Sequence, residues 1–471
     1  MNAALLALML VATPPRYGGE LKVLAAASAI DADRLDPADA RSPTELALTR
    51  MLCEPLFRLG PDGTLQPGLA QLPGDTHTRL LSLKLRAGLQ SSGAVPLRAK
   101  DVASTLDRLA QPGNPYRALM LPVSGSVSAR SDVELVASFN FAYPDWPLAL
   151  AHVGACPLPQ GKRAPSAGAQ TGPFALDGRL APAGTKLSAN VDCPAGRPYA
   201  DRLSIRSGSA KTAARALASG DADLALLNVP DTAHVVEGPL SVATYFATNP
   251  AKPQLAKLAS LVASGVDRAE LVRIFVRGPA QPLYGLLAPS VEPHPVAATP
   301  VNALPPLATH LSGTLLVDAG DESRAVAERL QVKLHDLGAD LKVVPVARAE
   351  LTRRLGAGDY DAALVTLPAL PEAGLNLAQV LLLAESPAQV QQELAALGAE
   401  PDARARREKA SLRARDLAGT ITIAPLYAQG LAAAARPHVR GLAFDASGVP
   451  DLGSLWLDDL DAPRATAQKD R

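Results

Sequence analysis

The hydrophobic pattern of residues 80–109 predicts a strand, a short loop and a helix. Leu81, Leu83 and Leu85 alternate with polar residues, as in a strand that buries one face and exposes the other. From Arg98 onwards apolar residues recur every three or four positions, which is typical of a helix with one buried stripe. One apolar strand face and one helical stripe are therefore expected, joined by a short polar loop that contains Pro96.

A second pattern predicts successive β-α-β units in the later part of the chain. Short apolar runs alternate there with helical patterns, the first of which stops at Gly338. The predicted strands are residues 314–317, 341–346 and 362–367. Such crossovers imply a parallel sheet covered on both faces, and sheets of this kind bind ligands at the carboxyl ends of their strands.

The N-terminus carries an apolar run that predicts export. Residues 1–12 are as long as a signal-peptide core and too short to span a bilayer, so residues 1–16 are expected to be removed. The alternative is an ordinary buried N-terminal helix. No cysteine lies near this run, so a lipid anchor is not expected. Gly18 and Gly19 then lead into a first strand.

Three other segments have local signals. Gly220 is expected to cap the C-terminus of the helix before it. Asp267 is expected to cap the N-terminus of the helix after it. Residues 279–306 carry so many prolines that a surface connection is expected there. The tail from Ala462 is expected to fray.

Composition and charge limit the possible partners. With 471 residues, of which 48% are hydrophobic, the chain is long enough for more than one lobe. Lys plus Arg number 46, as do Asp plus Glu, so no electrostatic argument favours nucleic acid or an anionic membrane. The three cysteines are too few for a disulfide scaffold; either Cys156 and Cys193 pair in an exported chain, or all three thiols, Cys53 included, stay unpaired.

No pattern of catalytic or metal-ligating residues is present in the sequence. The seven histidines include no pair at metal-ligand spacing on one helix. The nucleophile elbow, the phosphate-binding Gly-Lys-Ser/Thr loop and the dinucleotide fingerprint are all missing. Asp221 and Asp223 either hold calcium or, more simply, form a solvated turn. No enzyme activity, catalytic residue, metal site or cofactor is therefore expected.

Several ordered motifs resemble one protein family. Residues 83–89, followed by 96–102, resemble the signature of the extracytoplasmic solute-binding family 5, the dipeptide-, oligopeptide- and nickel-binding proteins of ABC transporters. An Asp-Gly pair that the family places before the proline is replaced here by residues 91–95, so the chain is a divergent member. Further similar motifs are residues 61–70, 171–174, 197–203, 219–224, 266–272, 421–427, 439–442 and 452–456.

The resemblance implies an α/β fold with two lobes, of the periplasmic-binding-protein type II, cluster C. Lobe I is expected to comprise residues 17–243 plus 428–471, and lobe II residues 244–427. Two hinge crossings near Ala243 and Tyr427 imply that a ligand closes the lobes by rigid-body rotation.

The resemblance also implies a function. The chain is expected to be the extracytoplasmic, or periplasmic, substrate-binding component of an ABC importer, which holds a small solute between its lobes. The expected partners are this peptide-like or less charged ligand and the permease subunits in the membrane, with no nucleic acid, and the expected state is a monomer. The alternative is an exported ligand-sensing or protein-interaction domain that kept the fold and lost transport.

The expected ligand contacts depart from those of the family's peptide binders, which hold the free amine with an Asp three residues after a Trp. Alignment on Tyr360 and Asp361 puts Leu367 at the Trp and Leu370 at the Asp. A buried ammonium opposite a leucine would lack a counter-charge, so free-amine peptides are not expected to bind. Glu372 either replaces the missing acid or is simply exposed. The predicted ligand-facing residues are Asp39, Arg41, Ser42, Tyr245, Thr366, Leu367, Leu370 and Glu372.

Overall fold

The computed structural model describes most of the chain. The described residues are 14–26, 35–164, 166–178, 180–181, 183–227, 234–292, 294, 296–298, 307 and 309–458. Most of the predicted signal peptide and the tail from Ala462 lie outside them, so those two expectations stay predictions.

Twenty strands and eleven helices occur in the described part of the chain. The strands are β1 (Glu20–Ala25), β2 (Phe57–Leu59), β3 (Leu65–Pro67), β4 (Leu80–Lys84), β5 (Ser128–Ala129), β6 (Glu134–Ser138), β7 (Phe174–Leu176), β8 (Thr185–Ala189), β9 (Arg202–Ser207), β10 (Leu224–Leu226), β11 (Val235–Glu237), β12 (Val242–Thr248), β13 (Ala280–Pro282), β14 (Leu311–Asp318), β15 (Ala339–Val346), β16 (Ala362–Pro368), β17 (Ile423–Gln429), β18 (Ala432–Ala435), β19 (Val439–Arg440) and β20 (Trp456–Leu457). The helices are α1 (Pro43–Leu52), α2 (Ala99–Leu109), α3 (Trp146–Ala149), α4 (Ala210–Ser219), α5 (Ala256–Gly265), α6 (Arg268–Phe275), α7 (Asp321–Asp336), α8 (Arg348–Ala357), α9 (Ala373–Leu381), α10 (Pro387–Gly398) and α11 (Ala403–Leu417).

The first large sheet has seven strands in the order β11-β18-β10-β1-β9-β8-β7. Strand β1 lies in its middle and runs parallel to both β9 and β10. Its buried side chains, among them Leu21 and Val23, form one core with Leu48 and Met51 of α1. The predicted caps are present beside this sheet and the next: Gly220 ends α4 in the left-handed region at φ 81°, and Asp267 accepts a bond from Glu270 at the start of α6.

The second large sheet has six strands in the order β13-β17-β12-β16-β14-β15. Strand β14 is parallel to β15 and to β16, so the predicted β-α-β units are confirmed. Because the three strands are parallel, their carboxyl ends at Asp318, Val346 and Pro368 lie along one edge of the sheet.

A small third sheet contains the strand predicted from residues 80–109. Its order is β4-β6-β5, and β4 alternates exposed and buried residues as expected. Helix α2 begins one residue after Arg98 and packs on β5 and β6. The sequence prediction for this segment is confirmed.

The chain passes between the two large sheets twice. Residues 238–241 join β11 to β12, and residues 430–431 join β17 to β18. The two passages are adjacent, since the Gly238 amide donates to the Leu431 carbonyl over 2.9 Å. The first lobe comprises the described residues before 242 and after 429, and the second lobe comprises residues 242–429. The predicted boundaries at 243/244 and 427/428 are close to these passages and stay a prediction.

Two expectations from the sequence are wrong. The disulfide joins Cys53 to Cys156, with a Cα–Cα distance of 6.1 Å, and Cys193 is a buried free thiol. Cys53 ends α1 and is itself buried, next to the loop that carries Cys156. The second error concerns part of residues 279–306: Leu283 and residues 285–288 are buried, because the leucines between the prolines join the core.

Candidate ligand-binding site

The carboxyl ends of the parallel strands in the second lobe face the first lobe. Arg348, the first residue of α8, follows β15 directly, and its guanidinium donates to Asp318 at the end of β14 over 2.6 and 2.8 Å. The same guanidinium reaches across to Glu45 of α1 in the first lobe, over 2.7 Å. Glu45 is 3% exposed and Arg348 11% exposed, so this pair is shielded from water.

Glu45 is ionised despite its burial. Burial alone raises the pKa of this carboxyl, but Arg348 and the backbone amides of Arg41 and Ser42 outweigh it and hold the pKa below its ordinary value. Burial likewise works against the charge of Arg348, and Glu45 and Asp318 together raise the pKa of Arg348. The charges therefore stabilise one another across the two lobes.

Helix α8 touches the first lobe at two further places. Arg41 donates to Thr352 over 2.5 Å and to Asp39, within its own lobe, over 2.8 Å. Gly356 of α8 packs against the loop after α2, where an added Cβ on Gly356 would lie 2.5 Å from the Pro112 carbonyl oxygen. Such a distance is shorter than any real contact, so the two lobes meet here with backbone against backbone.

A second contact region lies around Glu372. The Tyr143 hydroxyl of the first lobe donates to this carboxyl over 2.6 Å, and the amides of Gly374 and Leu375 donate to it as the N-cap of α9. Burial raises the pKa of Glu372, and these three bonds offset only part of that effect. Nearby, Arg406 of α11 forms a bidentate ion pair with Asp145 of the first lobe, at 2.6 and 2.7 Å.

Helix α9 fills the space between these contacts. All nine of its residues are buried, and it packs on the 3-10 helix Arg117–Met120 of the first lobe. The Gln379 side chain of α9 donates to the Pro115 carbonyl over 2.6 Å. One continuous buried apolar cluster contains Trp146 of the first lobe and Leu370 of the second. The interface between the lobes is therefore closed and mostly apolar.

A small cavity remains between the lobes. Its volume is about 90 Å³, and its walls come from both lobes, including Arg41, Asn114 and Arg117 of the first and Tyr360 and Leu367 of the second. Pockets for drug-sized ligands begin at roughly 300 Å³. In this closed state the cavity has room for a compact molecule and not for an extended peptide.

A larger cavity, of about 240 Å³, lies in the first lobe, away from the second. Two of its cations, Arg50 and Arg58, both bind the fully buried Glu54, at 2.7 and 2.6 Å. Arg58 also lies 3.9 Å from Asp451. Because these charges are paired with one another, the cavity between the lobes is the better candidate for a ligand.

The structure brings only some of the predicted first-lobe and strand residues together. Arg41 lines the cavity, whereas Asp39 binds Arg41 beside it. Ser42 is the N-cap of α1. The Tyr245 hydroxyl donates to the Leu286 carbonyl inside the second lobe, and Thr366 bonds to a neighbouring strand of the same sheet.

The remaining predicted residues follow strand β16. Leu367 lines the cavity, and Leu370 is fully buried in the apolar cluster. Glu372 is buried and fully engaged as a cap, so the alternative of a simply exposed Glu372 is wrong. Contact of these predicted residues with a ligand stays a prediction.

Sequence reasoning missed Arg117 and Gln379, which both line the cavity. Arg117 follows the Asn114-Pro115 pair, which signals a turn but gives no hint of what the arginine faces. Within the described residues, no helix is long and apolar enough to cross a membrane. No group of three or more potential metal ligands is found in that same part of the chain.

Known structures share this fold. The Escherichia coli murein tripeptide binding protein MppA superposes with a TM-score of 0.70 at 17% identity, over 94% of this chain and 99% of its own. Haemophilus influenzae OppA in complex with RPPGFSPFR gives a TM-score of 0.70 at 16% identity, over 94% and 100%. AgaA from A. tumefaciens R10, in complex with agropinic acid, gives a TM-score of 0.70 at 15% identity, over 93% and 99%. The predicted two-lobe α/β fold of periplasmic binding proteins is confirmed.

Sequence comparison identifies the family. The bacterial extracellular solute-binding proteins, family 5 middle, match residues 64–373, which is more than half of the chain. No curated protein matches the chain. The motifs that suggested this family from the sequence lie partly within the matched range and partly on either side of it. The chain belongs to family 5 of the bacterial extracellular solute-binding proteins.

Proposed function

We propose that this protein is the extracytoplasmic substrate-binding component of an ABC importer. The observation that carries the proposal is a cavity between the two lobes, lined by residues of α8, β16 and α9 in the second lobe, in a chain of this family. The protein captures a small solute there and presents its closed form to permease subunits in the membrane.

Capture and release require the lobes to part, because they meet with backbone against backbone at Gly356, which lines the cavity. The adjacent passages at residues 238–241 and 430–431 are the places where few bonds would change. The contacts made by Arg348, by Arg406 and by Tyr143 break when the lobes open. Export through the predicted signal peptide, a monomeric state and the lack of enzyme activity are parts of the same proposal.

The pocket does not suit a free-amine peptide. Two proteins that share this fold have been solved with ligands. OppA holds the peptide RPPGFSPFR, and AgaA holds agropinic acid. In the present chain Leu370 is buried in apolar surroundings, and the Glu372 carboxylate already accepts three bonds. None of the described residues that line the cavity is acidic. An ammonium enclosed here would cost several kcal/mol without a counter-charge.

A second candidate function is ligand sensing or protein interaction without transport. One observation favours it: a continuous apolar core joins the lobes, so opening them exposes the buried surface of α9 and of the 3-10 helix Arg117–Met120 on which it packs. A domain that stays closed would present one fixed surface to a partner. This candidate predicts that no small solute stabilises the protein.

Thermal-shift screening of the purified protein tests the proposal. Peptides, N-acetylated peptides, sugars, metal chelates and small carboxylic acids form the panel. We expect at least one compound to raise the melting temperature, since a ligand at 100 times its Kd adds about 2.7 kcal/mol. We expect acetylation of a peptide amine to leave any peptide effect unchanged. A panel without any stabilising compound would favour the second candidate. Tight binding of a free-amine peptide that is lost on acetylation of its amine would contradict the conclusion that the pocket does not suit such peptides.

A further inference from the structure

One cation of the cavity between the lobes has no partner among the described residues. Arg117 is half-buried and lines the cavity, and its guanidinium makes no hydrogen bond or ion pair with any residue in the described part of the chain. Burial alone lowers the pKa of Arg117. A guanidinium remains charged in proteins, so an unpaired one that lines a cavity is available to bind an anion.

The other polar groups of the cavity are already satisfied, with one exception. Arg41 binds Asp39 and Thr352, Asn114 donates to the Ala38 carbonyl, and Gln379 donates to the Pro115 carbonyl. The exception is the Tyr360 hydroxyl, which has no partner among the described residues although Tyr360 as a whole is only 8% exposed, and which keeps some contact with solvent. Burial raises the pKa of Tyr360 to about 12, so this hydroxyl stays protonated and able to donate.

The two unpaired groups are both donors, and the cavity offers no acid to balance them. A guanidinium binds a carboxylate through two parallel hydrogen bonds, which is the strongest pairing available to it. The remaining walls include Val365, Leu367 and Leu382, which suit a short hydrocarbon chain. At about 15 Å³ per water-sized position, a cavity of about 90 Å³ holds about six such positions.

We propose that the cavity binds a small monocarboxylate without an amino group, through Arg117 and Tyr360. The carboxylate accepts two bonds from the Arg117 guanidinium and one from the Tyr360 hydroxyl, and the chain of the acid lies against the leucines. This inference rests on the proposed function, because it names the ligand class of the same site.

Calorimetry with butanoate as the probe tests this inference. Butanamide and butylamine are the matched neutral and cationic probes, and decanoate tests the size limit. We expect butanoate to bind and the amide, the amine and decanoate to bind at least tenfold more weakly. Arg117→Gln should raise the Kd for butanoate about 10- to 100-fold, as expected for loss of a charged hydrogen-bonding partner. Arg117→Lys should give an intermediate loss, because lysine lacks the planar fork.

A second readout separates a binding role from a structural one. Without ligand, Arg117→Gln should melt at or above the wild-type temperature, since the substitution removes an unpaired charge. Arg215→Gln, at an exposed position of α4, is the control and should change neither binding nor melting. Equal binding of butanoate and butanamide, or unchanged butanoate binding by Arg117→Gln, would overturn the inference. If carboxylates fail while another class of the screening panel binds, the inference fails and the proposed function stands; if every class fails, the proposed function fails as well.

Discussion

Replacing Arg348 by alanine is expected to lower the free energy of unfolding by about 3–5 kcal/mol, the usual cost of removing one partner from a buried ion pair. Arg348 is the common partner of Glu45 in the first lobe and Asp318 in the second, at 2.7 and 2.6 Å. Its removal leaves two carboxylates with less compensation in a region shielded from water. Chemical denaturation followed by tryptophan fluorescence, to which the fully buried Trp146 contributes, measures the change.

The pH dependence of the same variant gives an independent check. In the wild type the pKa of Glu45 is below its unfolded value, so its ionisation contributes stability that is present above the unfolded pKa and lost as pH falls through the folded pKa. Arg348→Ala should therefore lose less stability on acidification than the wild type. Arg324→Ala, which breaks an exposed pair with Glu328 on α7, is the control and should have no measurable effect. If Arg348→Ala changed the free energy of unfolding as little as Arg324→Ala, the ion pairs of Arg348 with Glu45 and Asp318 would not stabilise the fold as we expect.

Removal of the disulfide is expected to lower the free energy of unfolding by a similar amount. Cys53 and Cys156 are separated by 103 positions, and closing a loop of about 100 residues constrains the unfolded chain by about 4.7 kcal/mol in the chain-entropy account. The double variant Cys53→Ala, Cys156→Ala should therefore lose about 3–5 kcal/mol in urea denaturation. A reducing agent should produce the same loss in the wild type and none in the double variant.

Cys193 provides the control for the disulfide. This thiol is buried, and burial raises its pKa to about 11, so it is not expected to exchange with the disulfide. Cys193→Ala should keep the sensitivity of the wild type to reductant. Alkylation without reduction should label neither Cys53 nor Cys156 in protein taken from an extracytoplasmic compartment. Labelling of both cysteines there would show that the bond does not form.

The regular elements with strong periodicity were predictable from the sequence. Strands β14 to β16 and the segment from β4 to α2 have apolar positions at one clear period, and both were predicted within a few residues. In contrast, the burial of residues within 283–288 was not predicted, since the whole of 279–306 was expected to form a surface connection. Proline density signals turns, but it does not show on which side of a turn the core lies.

Long-range pairings had no local signal. Tyr143 and Glu372 are 229 positions apart, and Arg348 and Glu45 are 303 apart, so no periodicity or motif joins them. The choice of Cys156 as the partner of Cys53 depends in the same way on the docking of α1 against a distant loop. The candidate site adds a further difficulty, because Arg117 stands out by facing the cavity between the lobes, and that position can be recognised only after every neighbour is placed.

The central claim is that the two lobes close on a ligand held between them, and small-angle scattering tests it most directly. The radius of gyration is measured with and without the compound that stabilises the protein most. Gly356→Ala serves as the variant that cannot close, because its Cβ would lie 2.5 Å from the Pro112 carbonyl oxygen, while Gly74→Ala, with nothing within 4 Å, is the control. We expect the ligand to compact the wild type and Gly74→Ala but not Gly356→Ala. An unchanged radius of gyration in the ligand-bound wild type would contradict the claim.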